Sequence, residues 1–155
     1  SLRNDYNALL LTDGHDIAEP HWQILRDGRI FFSVKHPQGL PSDRSQKVFY
    51  SPSFWREEMS GRWVMLAVTY DRGKRLVKHF VNGAVISSEA IPEWAVAPHV
   101  RIGDASIANW AEPVYRADEQ FTSRNLNGVI DEFLVFSEPL SEEEIVSLYE
   151  SGNID

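Results

Sequence analysis

The 155-residue chain carries 15 Lys+Arg against 23 Asp+Glu, 43% hydrophobic residues, 12% aromatic residues and no cysteine. A chain of this length buries roughly 70% of the surface its unfolded form exposes, so one domain can form a core without disulfides or structural metal. The net charge of −8 argues against nucleic-acid and anionic-membrane binding, the aromatic content excludes disorder, and the lack of Cys excludes thiol catalysis, Fe–S clusters and Cys-ligated zinc. Apolar runs such as Ala8 to Leu11 fall far short of the ~20 residues that span a bilayer, so no direct membrane insertion is expected. The chain opens on Ser1 without an apolar leader core and reads as a processed or excised piece of something longer.

Alternation of period two dominates. His21 to Val34 reads as two strands about an Asp27-Gly28 turn, the strongest short hairpin signal, and Lys47 to Ser51 as a further strand. Pro37 to Ser45 lacks periodicity and reads as a loop. Trp63 to Tyr70, Leu76 to Val81 and Ala84 to Ser88 form a three-stranded meander turned at Asp71-Arg72-Gly73-Lys74 and at Asn82-Gly83. Val100 to Ile102 and Val129 to Phe136 add short strands. Ala105 to Leu126 reads as a long loop, and such loops are the first place to look for a binding surface. The fold class is all-β, an antiparallel β-sandwich jelly roll. One short C-terminal helix is expected: Ser141 is its N-cap, Glu144 completes a capping box, Leu140 and Ile145 form a hydrophobic staple, and Gly152 stops it. Glu142 to Glu144 sit where the helix dipole favours negative charge, which gives them a structural role. Trp22 and Trp63 are assigned to the core. No internal repeat and no second domain are visible.

Three stretches resemble a known family. Trp63 to Asp71 followed by Phe80-Val81-Asn82-Gly83 is similar to a Trp-bearing strand and Asn-Gly hairpin, and Arg101-Ile102-Gly103-Asp104 to a short strand before a variable loop. Leu126 to Phe136, with Leu140-Ser141 and Glu144-Ile145, is similar to a closing strand and helix. All three resemble the LamG-like jelly rolls of the concanavalin A-like lectin/glucanase superfamily. Leu9 to Gly14 and His21-Trp22-Gln23 resemble the variant attached to FecR-like regulators of extracytoplasmic signalling. Residues 1–155 then read as one domain of this type, whose first strands are short or lie outside the chain.

Asp131 and Glu132 lie mid-strand with apolar neighbours on both faces, so at least one is expected in the interior, paired as a structural brace. Retaining glycosidases need two carboxylates about 5 to 5.5 Å apart, hence acids at alternate positions of a strand. Glu132 is followed on its own face by Leu134 and Phe136, no other strand supplies the pattern, and no Gly-x-Ser-x-Gly elbow occurs. Trp110, beside Asn109 and ahead of Tyr115-Arg116, is the leading candidate for stacking on a sugar ring, with Trp94 behind it; loop-anchoring packing is the favoured alternative for both. The resemblance implies calcium at a loop rim, for which Asp104 is the candidate ligand and Asp13 or Asp16 the alternatives, while turn formation accounts equally for these residues and is favoured. The five His are dispersed and define no zinc site.

The expected function is a non-catalytic binding module of an extracytoplasmic or secreted protein, recognising glycan or a protein partner through rim loops. The alternatives are a purely structural or interaction domain of a larger signalling protein and, behind both, a glycoside hydrolase or lyase.

Overall fold

The computed structural model describes residues 2–36, 46–110 and 123–152. Eight strands and one helix lie among them: β1 (Tyr6–Thr12), β2 (Pro20–Leu25), β3 (Ile30–Lys35), β4 (Gln46–Tyr50), β5 (Leu66–Asp71), β6 (Leu76–Val81), β7 (Ala84–Ala90), β8 (Ala105–Ile107) and α1 (Glu142–Gly152). They form an antiparallel β-sandwich jelly roll. One sheet has the order β4-β3-β2-β1-β8 and the other β5-β6-β7.

The hairpins follow from local chemistry. Gly28 has φ +84°, and a Cβ there would stand 2.8 Å from the Trp55 carbonyl oxygen, so the β2–β3 turn requires glycine. Asn82 (φ 50°) and Gly83 (φ 78°) both take the left-handed conformation of a two-residue hairpin loop. The Asn82 Oδ1 also accepts the Met65 N–H at 3.0 Å, and a Cβ on Gly83 would stand 3.3 Å from the Tyr149 side chain, where α1 docks.

Register sets the two faces of the large sheet. Leu10, Trp22, Phe32 and Phe49 stand opposite one another in successive strands. Phe32, Val34 and Phe49 pack against Val77 of β6 and against Ile91, Ala95 and Ala97, with Trp22, Val68 and Tyr70 at the margin. The Tyr70 hydroxyl closes this core by accepting the Ala97 N–H at 2.9 Å and donating to the Ala95 carbonyl at 3.3 Å. The opposite face of the large sheet carries the rows Leu11–His21–Ser33–Val48 and Ala8–Gln23–Phe31–Tyr50.

Ser141 and Glu144 make the reciprocal capping bonds: the Ser141 N–H donates to Glu144 Oε2 at 2.7 Å, and the Glu144 N–H to Ser141 Oγ at 3.2 Å. Ile145 is buried under the helix and Lys78 of β6 pairs with Glu142. No helix among the described residues is long and apolar enough to cross a membrane.

Four expectations are corrected. Val100 to Ile102 is irregular, and the strand in that region is β8, within the stretch expected to be loop; it pairs with the free edge of β1. Trp63 is 69% exposed because β5 begins three residues after it. Val129 to Phe136 lies outside both ladders, with Val129, Leu134, Val135 and Phe136 exposed and the Phe133 ring 6.2 Å from that of Trp22. Asp131 and Glu132 are therefore exposed as well, not an interior brace: without a layer over each face of the segment, water solvates both carboxylates.

Candidate functional site

In β2 the alternation that sends Trp22 inward sends His21 and Gln23 to the outer face of the large sheet, beside Ser33 of β3. These three polar side chains are nonetheless almost fully buried. A buried polar face costs free energy unless its groups are hydrogen-bonded, so their partners define the site. Ser33 Oγ donates to Gln46 Oε1 at 3.0 Å, and the His21 Nε2–H donates to the Thr12 carbonyl at 3.1 Å.

The connection from β1 to β2 folds His15, at φ 41°, back over His21, and the two imidazoles stack with centroids 3.8 Å apart. Burial, chiefly, with the neighbouring His15, lowers the His21 pKa to about 3. Burial, followed by the charges of Lys35 and Arg124, lowers that of His15 to about 4. Both rings are neutral at pH 7. The Trp110 ring stands edge-on to His21 at 6.1 Å.

Arg124 completes the cluster. The Ala8 N–H, next to the irregularity in β1, donates to the Arg124 carbonyl at 2.7 Å and fixes the returning chain beside the sheet. The guanidinium lies 4.4 Å from the Trp110 ring centroid and 4.9 Å from that of Tyr6, and Nη1 donates to Gln23 Oε1 at a long 3.5 Å. Rings, an amide, neutral imidazoles and one cation thus converge on a sheet face away from the sandwich core. Such a set can stack on an apolar ring face and hydrogen-bond its substituents.

Of the residues singled out from sequence, Trp110 lies in this cluster. Tyr115 and Arg116 lie outside the described residues. Trp94 sits in a 3-10 turn after β7, edge-on to His36 at 5.6 Å, where it packs against the end of β3. Asp104 is exposed, and its carbonyl accepts the Asp13 N–H at 2.8 Å. The acids near this rim do not fit calcium: Arg101 Nη2 lies 3.0 Å from Glu19 and 3.3 Å from Asp16, and Glu19 Oε2 also accepts the Asp16 N–H. Among the described residues no group of three His, Asp or Glu side chains could hold a metal ion. Sequence reasoning missed Tyr6, His15, His21, Gln23 and Arg124. The one legible signal was His21 and Gln23 at alternate positions flanking Trp22; their meeting with Arg124, a hundred residues on, has no local signature.

Residues 3–146 match the laminin-G-type family described as the concanavalin A-like lectin/glucanases superfamily. Among solved structures, the chain is similar to the Ruminococcus gnavus IT-sialidase CBM40, with a TM-score of 0.66 and 16% identity over 96% of this chain and 77% of that one. The same domain bound to alpha2,6 sialyllactose gives a TM-score of 0.65 at 17% identity, again over 96% of this chain and 77% of that one. The receptor binding domain of botulinum neurotoxin C/D mosaic serotype gives 0.55 at 17%, covering 96% of this chain and 32% of that one. The chain is 42% identical to mouse (Mus musculus) pappalysin-1 over 65 residues, which are 42% of this chain and 3% of pappalysin-1, so it corresponds to a small piece of that protein. The family match over nearly the whole length, on a sandwich of the same architecture, places the chain in the concanavalin A-like lectin/glucanase superfamily as a laminin-G-type domain.

Proposed function

We propose that this domain is a non-catalytic binding module that recognises glycan at the cluster around Trp110. The observation that carries the reading is that the outer face of the large sheet gathers His15, His21, Gln23, Trp110 and Arg124 at one place. The solved CBM40 domains bound to sialyllactose support it by likeness of fold. The parent protein is read as extracytoplasmic or secreted, from the family resemblance. A glycan array followed by calorimetry tests the binding reading, and Trp110→Ala should lower the affinity of any glycan found by roughly tenfold or more. The same affinity in a folded Trp110→Ala protein would move the site elsewhere. Turnover of a polysaccharide that is abolished by Glu132→Gln would overturn the non-catalytic part.

A second reading, an interaction domain that docks protein, is favoured by one observation. Val129, Leu134, Val135 and Phe136, close together in the chain, expose large apolar side chains, and exposed apolar surface of this kind marks interaction sites. Loss of a co-purifying partner from Leu134→Asp, with glycan binding unchanged, would support it.

A further inference from the structure

We propose, building on the glycan reading above, that Arg124 is the receptor for a carboxylate, so that the ligand at this cluster is an acidic saccharide. Six other cations of the chain, Arg26, Arg29, Lys47, Lys74, Lys78 and Arg101, each lie within 3.6 Å of a carboxylate. Arg124 is half-buried and has no such partner among the described residues. Among the described residues it contacts neutral groups: the π faces of Tyr6 and Trp110 and the amide oxygen of Gln23.

A guanidinium presents five N–H donors in a rigid planar fork and stays charged at any physiological pH. Here one of them makes the 3.5 Å bond to Gln23, and among the described residues Nε has no hydrogen-bond partner. Removing such a group from water without an anion is costly, and rings offset only part of that cost. A carboxylate matches the fork in geometry and in charge, and charge-assisted bonds of this kind are about twice as strong as neutral ones. His15 Nε2, within the electrostatic influence of Arg124, is also buried without a hydrogen bond among the described residues, which leaves a neutral donor or acceptor for a hydroxyl of the same ligand.

The charge count selects the class. Both stacked imidazoles are neutral, so the charges acting on the described cluster are the Arg124 guanidinium and Lys35, which acts on His15 from β3. Among the described residues the acid acting on His21 is Glu19, already engaged by Arg101. An anion balances such a site, and a planar carboxylate matches the guanidinium fork in geometry. The chain as a whole carries −8, so no diffuse positive field collects anions; selectivity has to be local.

The test is calorimetry on the full chain with sialyllactose, a glucuronic-acid disaccharide, neutral lactose and inorganic phosphate. The expected result is that at least one sugar acid binds about tenfold or more tightly than lactose and phosphate, and that Arg124→Gln removes that advantage. Arg124→Lys, which keeps the charge and loses the fork, should recover part of it. If Arg124→Gln fails to fold, the wild-type Arg124 Nε–Hε resonance provides the reading, since it must shift on adding the bound sugar acid. A folded Arg124→Gln protein with full affinity, an unmoved resonance, or phosphate binding as tightly as the sugar acid overturns the proposal. Neutral glycans binding as well as acidic ones overturn it too while leaving the binding module standing; no glycan binding at all overturns both.

Discussion

His79 shows how a single side chain sets a property of the whole domain. It lies on β6, 1% exposed, and neither ring nitrogen reaches a hydrogen-bond partner in good geometry. Burial lowers its pKa to about 4, against the opposing influence of the Phe49 backbone and Glu89. The folded-state value lies below the unfolded 6.5, so the unfolded chain takes up the proton first. Stability is complete above about pH 6.5 and falls as the pH drops toward 4. The shift corresponds to roughly 3 kcal/mol for this residue, and His15 and His21 act in the same direction. Thermal melting from pH 7.5 to 4 should show a steep decline, and His79→Leu should flatten it while costing little at pH 7, because an unsatisfied ring is exchanged for an apolar group. An unchanged slope in that variant would assign the decline to the histidines on the outer face. None of the three burials is visible from composition, since each depends on which strand lies across from it.

At the scale of elements, the hairpins and the helix were legible because their signals are local. Asp27-Gly28, Asn82-Gly83 and the Ser141/Glu144 box each fix a backbone conformation through atoms within four residues. Ser141→Ala should cost about 1 kcal/mol in chemical denaturation by removing the bond to the Glu144 N–H. Gly28→Ala should cost more, on the order of 2 kcal/mol or above, since φ +84° and the Trp55 carbonyl both oppose a Cβ. Equal losses in the two variants would mean that the turn relaxes. The elements that were misplaced are those whose state depends on a distant partner. Ala105–Ile107 is a strand because the edge of β1 is available to it, and Val129 to Phe136, with a stronger strand pattern, is not in a ladder. Alternation says that a segment suits a sheet, not that a sheet edge will meet it.

At the scale of the molecule, burial is uneven. The amides of β1 to β3 lie in paired, buried strands, whereas residues 129–136 lie outside both ladders and carry Val129, Leu134, Val135 and Phe136 to solvent. Hydrogen exchange should therefore separate them, with 129–136 exchanging orders of magnitude faster than β2. Comparable protection in both would show that the segment is paired in solution. The sequence by itself determined the all-β class, the hairpin turns, the capped helix and the family, because these rest on periodicity, on turn chemistry and on motifs contiguous in the chain. It also marked Trp110 and the long stretch containing it. Only the tertiary structure decided that Trp110 shares a site with His15, His21, Gln23, Tyr6 and Arg124, that Trp94 belongs to a different neighbourhood, and that Asp131 and Glu132 face water. The reason is physical: a strand's alternation chooses between two faces, but what covers each face comes from chain a hundred residues away.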